Sequence, residues 1–154
     1  MKHTVWRVFY DYEKEEKWLN EMSSKGMAFI DICWCRYLFE ETTNQYTYRI
    51  ELLENMPSHP ESISYIKFLE ENGIECISSY MRWIYLRKKT SDGPFDLYTD
   101  IDSKIRHHKR IFVMWFLITL TEFGAGLSNL LISFIINSPK KYSNVNLILG
   151  IFLM

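Results

Sequence analysis

The sequence predicts an α+β domain, a ferredoxin-like βαββαβ antiparallel sheet with two helices on one face, followed by a transmembrane helix. Three observations predict it. Strand-like runs rich in aromatic and β-branched residues alternate with two helix-start signals over residues 1–90. The basic run Lys104, Arg106, His107, His108, Lys109, Arg110 gives way at once to an almost uncharged stretch from Ile111 to Ile136. As a helix that stretch is roughly 39 Å long, enough to cross a hydrocarbon core of about 30 Å with tilt to spare. A faint internal echo supports the same ferredoxin-like order: Leu19, Met22, Gly26 and Met27 recur at the spacing of Ile66, Leu69, Gly73 and Ile74.

Val5–Tyr10 is the first strand, because it is β-branched and aromatic throughout. Asp11 caps the helix that follows, with Glu13, Glu15 and Glu16 near its positive end and Trp18, Leu19 and Met22 on its apolar side, and Gly26 stops it. Met27–Glu40 is a long β-rich run and Gln45–Leu53 another, joined into a hairpin by Thr42, Thr43 and Asn44. Ser58 with Glu61 forms a capping box, and Pro60 sits in the first turn. Ile63, Ile66 and Leu69, with Phe68 beside them, make the buried stripe of this second helix, which ends at Asn72-Gly73. Ile74–Lys88 returns to strand, with a bend near Ser78 and Ser79 because it is too long for one flat strand.

The organisation read from this is a cytosolic domain over 1–90, a charged juxtamembrane connector over 91–110 and a transmembrane helix over 111–136. Residues 137–154 form a loop and an incomplete second hydrophobic segment: the run from Val145 to Met154 reaches only roughly 15 Å as a helix, half a bilayer. Residues 1–18 hold Asp11, Glu13, Lys14, Glu15, Glu16 and Lys17 and no apolar signal core. Basic residues also outnumber those after the span, Lys140 and Lys141, and the more basic side prefers the cytoplasm. Cys33, Cys35 and Cys76 are therefore expected as free, buried thiols in a reducing compartment, Cys33 and Cys35 on one strand face. With a net charge of −1, no global electrostatic case for nucleic acid exists. Aromatics make up 16% of the chain, and core filling accounts for most of them.

Three constellations are candidate sites. Glu122, Gly126, Asn129, Ser133 and Asn137 lie along one side of the apolar helix. A carboxylate at mid-bilayer costs about 2.5–3.5 kcal/mol on insertion scales, so this face is expected to pack on another transmembrane helix, from a second copy or a partner protein. Lys104, Arg106, Lys109 and Arg110 form a cluster suited to anionic headgroups. Arg7, Arg49 and Glu51, on what should be the two central strands, line a possible site on the open sheet face. Solvated cross-strand ion pairs explain that last set equally well. His59 reads as part of a helix cap, and His107 and His108 as members of the basic cluster.

Glu15-Glu16-Lys17-Trp18-Leu19-Asn20-Glu21-Met22 with Lys25-Gly26, and Tyr48-Arg49-Ile50-Glu51-Leu52 running into Pro57-Ser58-His59-Pro60-Glu61, carry a resemblance. So do Met81-Arg82-Trp83-Ile84-Tyr85, Gly93-Pro94-Phe95 and Asp100-Ile101-Asp102-Ser103. Over residues 5–110 the chain resembles an uncharacterised bacterial domain-of-unknown-function family of membrane-anchored proteins, often encoded beside PadR-type transcriptional regulators. The resemblance implies a place in a small regulatory or membrane-stress system and no established activity. It also implies further hydrophobic segments, which makes Met154 an early end.

No Gly-rich phosphate loop, nucleophile elbow or zinc-helix motif is present. The expectation is a non-enzymatic sensory or interaction module without cofactor or metal, whose partners are the lipid membrane and another transmembrane helix. No nucleic acid is expected, and no small-molecule ligand is identified by the sequence. The alternative makes the membrane part the working end, as an accessory of a transporter or a self-protection protein.

Overall fold

Two turns built without turn chemistry decide the architecture. Trp34 (φ 60°) and Met81 (φ 54°) hold positive φ, a conformation that costs an L-residue about 1 kcal/mol or more. Each opens a two-residue loop between antiparallel strands, the position that glycine takes in a type II′ hairpin. The computed structural model describes residues 1–98, 101–135 and Ile148, with side chains of 133–135 outside that description.

The order is β1 (Lys2–Trp6), α1 (Tyr12–Ser24), β2 (Met27–Cys33), β3 (Arg36–Glu41), β4 (Tyr46–Leu52), α2 (Pro60–Glu71), β5 (Glu75–Tyr80), β6 (Trp83–Lys89), a short 3-10 turn at Thr90–Asp92, and α3 (Ile101–Ile135). The chain is mixed α+β with antiparallel sheets, as expected, but forms two three-stranded sheets, β1-β3-β2 and β4-β6-β5, in place of one βαββαβ sheet. Met27–Glu40 is itself a hairpin and does not pair with Gln45–Leu53; the bend expected at Ser78 and Ser79 is a bulge, and the chain reverses at Met81-Arg82. A tryptophan and a methionine where glycine belongs hid both reversals.

The two halves are one βαββ unit used twice. Gly26 matches Gly73, both at φ 78°, and Trp34 matches Met81. The bulges fall at matching residues too, Ile30 and Ile77, so the echo in the sequence is the trace of a whole repeat. Ser78 Oγ donates to Asp31 Oδ1 at 2.7 Å, a bond between matching positions of β2 and β5.

Two compact units divide the chain, Met1–His107 and His108–Met154. In the first, Trp18, Leu19, Phe29, Ile32, Tyr37, Phe39, Tyr48, Ile50 and Tyr85 form the larger core. Phe29 and Phe39 keep no exposed surface, and burying each stabilises by roughly 1.5–3 kcal/mol. A smaller core holds Leu53, Leu69, Ile84, Leu86 and Phe95. Asp11 caps α1, accepting from the Glu13 N–H at 3.0 Å. At α2 the cap is His59, as its place in the sequence suggested, with Pro60 at the helix start. Ile63 (53% exposed) and Phe68 (58%) face solvent, so the apolar stripe of α2 is narrower than its spacing implied.

In the second unit α3 supplies a helix long and apolar enough to cross a membrane, with mean hydropathy 1.6 in its most apolar window. The loop and second hydrophobic segment of 137–154 lie outside the described residues, Ile148 excepted.

Candidate functional site

Among the described residues, β4 has β6 on one side and no strand on the other. The pairing turns its odd-numbered backbone groups toward β6: the Leu53 N–H donates to Arg82 O and the Thr90 N–H to Gln45 O. Tyr46, Tyr48, Ile50 and Leu52 therefore point outward, and buried backbone groups left unmet there would cost about 1–3 kcal/mol each. Side chains meet them. Ser23 Oγ donates to Tyr46 O (2.7 Å) and accepts from the Tyr46 N–H (2.9 Å). Asn20 accepts from the Tyr48 N–H (2.8 Å) and donates to Tyr48 O (3.1 Å). Glu16 Oε2 accepts from the Ile50 N–H at 3.0 Å.

One face of α1 thus stands in for a strand. From Ser23 back to Glu16 the helix climbs about 10.5 Å, whereas Tyr46 to Ile50 spans about 13 Å of strand. The growing side-chain length from Ser to Asn to Glu takes up the shortfall.

His107 meets the fourth group. It lies on α3 yet within the first compact unit, has no exposed surface, and its Nε2 accepts from the Leu52 N–H at 3.0 Å. Because Nε2 accepts, the ring is neutral with its proton on Nδ1. Tyr12 meets it edge-on at 5.2 Å, Trp83 edge-on at 6.5 Å, and Tyr98 lies tilted at 5.3 Å. The sequence placed His107 in an exposed basic cluster; it is the buried end of the β4 cover.

Two carboxylates sit on this face of α1 and the next. Glu16 also takes Arg49 Nη1 at 3.2 Å, and Arg49 lies 5.8 Å from the Phe95 ring and reaches Asp96 at 3.7 Å. Glu15 is 8% exposed and accepts from Tyr37 Oη (2.6 Å) and Tyr85 Oη (2.8 Å). Burial pushes both carboxyls upward; the two phenol donors oppose this at Glu15, and the Ile50 N–H and Arg49 oppose it at Glu16. Burial likewise raises the Tyr37 and Tyr85 hydroxyls, helped by the neighbouring Glu15. The arrangement positions groups and balances charge.

Of the residues expected on an open sheet face, Arg7 stacks on Phe9 (4.9 Å) and Trp18 (5.2 Å). Glu51 is buried and accepts from Tyr65 Oη at 2.9 Å. Arg7, Arg49 and Glu51 thus have separate partners, since β1 and β4 are edge strands of different sheets rather than two central strands of one. Lys104, Arg106 and Lys109 are exposed and Arg110 is half-buried, with Arg106 donating to Ser103 Oγ at 2.6 Å. On α3, Glu122 is exposed, Gly126 buried and Asn129 half-buried, while the Ser133 side chain and Asn137 lie outside the described residues. The three cysteines are free, but Cys33 is exposed at the end of β2 and Cys35 lies in the turn, so they do not share a strand face. Burial lifts the Cys76 thiol to about 11.

The signal for the β4 cover was present: Glu16, Asn20 and Ser23 recur at helical spacing beside Leu19 and Trp18. A polar helix stripe ordinarily faces water, so the pattern alone does not identify it. The family described as Protein of unknown function (DUF2812) matches residues 11–120. No curated protein and no solved structure matches the chain at a significant level.

Proposed function

The chain belongs to the DUF2812 family, and on that premise we propose that it is a membrane-anchored, non-enzymatic cytosolic module that senses or relays through protein contacts. Its place is a membrane-stress or signalling system paired with a PadR-type regulator. The observation that carries this reading is His107. The helix that becomes apolar enough to cross a membrane begins inside the first unit, and its buried histidine closes the edge of β4. An event at Leu52, Tyr12 or Trp83 therefore acts on the helix itself. The side chains gathered there are held in mutual hydrogen bonds and ring contacts, which suits conformational coupling better than turnover of a substrate.

The test uses full-length protein in its native cells. The chain should sediment with membranes and leave them only with detergent, and an impermeant amine reagent applied outside intact cells should spare Lys14 and Lys67, whose side chains are 79% and 73% exposed. Recovery in the aqueous fraction, or labelling of either lysine, overturns the proposal. Removing residues 111–154 separates the two working ends. A sensory module keeps its regulator or partner contact when soluble, whereas a transporter accessory loses every effect.

A further inference from the structure

β1 is the counterpart of β4 in the repeated unit, and its edge is open. The Arg7 N–H donates to Cys35 O and the Glu41 N–H to Met1 O, so odd-numbered backbone groups of β1 face β3. Lys2, Thr4 and Trp6 turn theirs outward, and among the described residues nothing bonds to them. The matching helix cannot do for β1 what α1 does for β4. In place of Glu16, Asn20 and Ser23 it carries Ile63, Lys67 and Glu70, and Lys67 is engaged with Glu71 on α2 itself. The other two strand edges, of β2 and β5, lie against each other and are bridged by Ser78 and Asp31.

We infer that the β1 edge pairs antiparallel with β1 of a second copy of this chain, joining two β1-β3-β2 sheets into one. The outward groups fix the register. With Thr4 opposite Thr4 on a two-fold axis, Lys2 faces Trp6 and each outward N–H meets a C=O. A lysine ammonium then lies across from an indole, a favourable cation–π pairing. Centring on Lys2 sets two ammonium groups face to face, and centring on Trp6 leaves Lys2 unpaired. Axes through His3 or Val5 leave Trp6 or Lys2 without a partner inside β1, so only the Thr4 axis pairs all three outward residues. Large apolar side chains flank the edge uncovered: Trp6 is 68% exposed, Val8 61% and Tyr10 81%. Trp34, 76% exposed, stands on the turn whose Cys35 accepts from Arg7. Such a concentration of exposed aromatic surface beside an unpaired strand marks an interaction site.

The experiment is site-directed crosslinking of the full chain in detergent micelles and in lipid vesicles, in a Cys33→Ser, Cys35→Ser background. Residues opposed as a hydrogen-bonded pair sit about 5.5 Å apart at Cα, within the roughly 4.4–6.8 Å a disulfide spans. Thr4→Cys alone should give disulfide dimers under mild oxidant, at least tenfold more than the exposed control Ser64→Cys. Lys2→Cys chains mixed with Trp6→Cys chains should crosslink, while Lys2→Cys alone should not. Thr4→Pro, which removes an outward N–H and leaves the β3-facing bonds in place, should abolish the dimer in solution. Equal crosslinking at Thr4 and Ser64, Lys2-to-Lys2 dimers, or covalent capture of a different protein at Thr4 would each overturn the assignment. None of these outcomes depends on whether the chain is membrane-anchored.

Discussion

Truncating Asn20 tests the view that α1 replaces a strand along β4. Asn20→Ala removes the acceptor of the Tyr48 N–H at 2.8 Å and the donor to Tyr48 O at 3.1 Å, beside a residue with no exposed surface. Two stranded backbone groups cost about 1–3 kcal/mol each, and the better helix propensity of alanine returns about 0.5 kcal/mol. The net loss is therefore about 1.5–5.5 kcal/mol, a large share of the roughly 5–15 kcal/mol that holds a domain together. The melting temperature should fall by about 6–40 °C on the scale for a domain of about a hundred residues. The assay is denaturant and thermal unfolding of the full chain in detergent, followed by aromatic circular dichroism. Ser24→Ala, on the exposed side of α1 and bonded only to Glu21 O, is the control and should stay within about 0.5 kcal/mol. Should Asn20→Ala match that control with an unchanged denaturant slope, α1 is not the partner of β4.

Glu15→Gln should flatten the pH dependence of stability. Burial raises the folded carboxyl above its unfolded value of 4.5, so stability is fully present below that value and is lost as pH rises through the folded one. Glu16 is shifted the same way and retains the rest of the slope; denaturation midpoints from pH 4 to pH 7 read the difference, and an unaltered slope counts against the assignment. Gly73→Ala should cost about 1 kcal/mol for its positive φ alone, and Gly26→Ala more, because an added Cβ there meets Thr42 O at 3.3 Å. Equal losses in urea titrations would show that the contact is harmless. Trp34→Gly and Met81→Gly should each stabilise by up to about 1 kcal/mol by relieving strain at side chains that are mostly exposed; a loss of stability in the same titrations would reveal packing at those turns.

Much of this fold was legible because its signals are local. Asp11 starts α1, and Gly26 and Gly73 end the two helices at positive φ. The hairpins were not legible, because Trp34 and Met81 spend conformational energy that a reader of sequence assumes is never spent. Two strands therefore looked like one twice over, and a tandem repeat looked like a single split sheet. The cover of β4 was hidden for another reason. Whether Glu16, Asn20 and Ser23 face water or backbone depends on where a strand 23 to 34 positions away comes to lie. His107 was misjudged by its neighbours, since one buried ring in a run of exposed cations has no compositional mark.

The cover over β4 also limits growth. A molecule with one sticky border can associate once and is then finished; a molecule with two can recruit neighbours without end, as open filaments do. Among the described residues, Ser23, Asn20, Glu16 and His107 keep the count at one, so loosening that quartet would turn a closing pair into a polymerising unit.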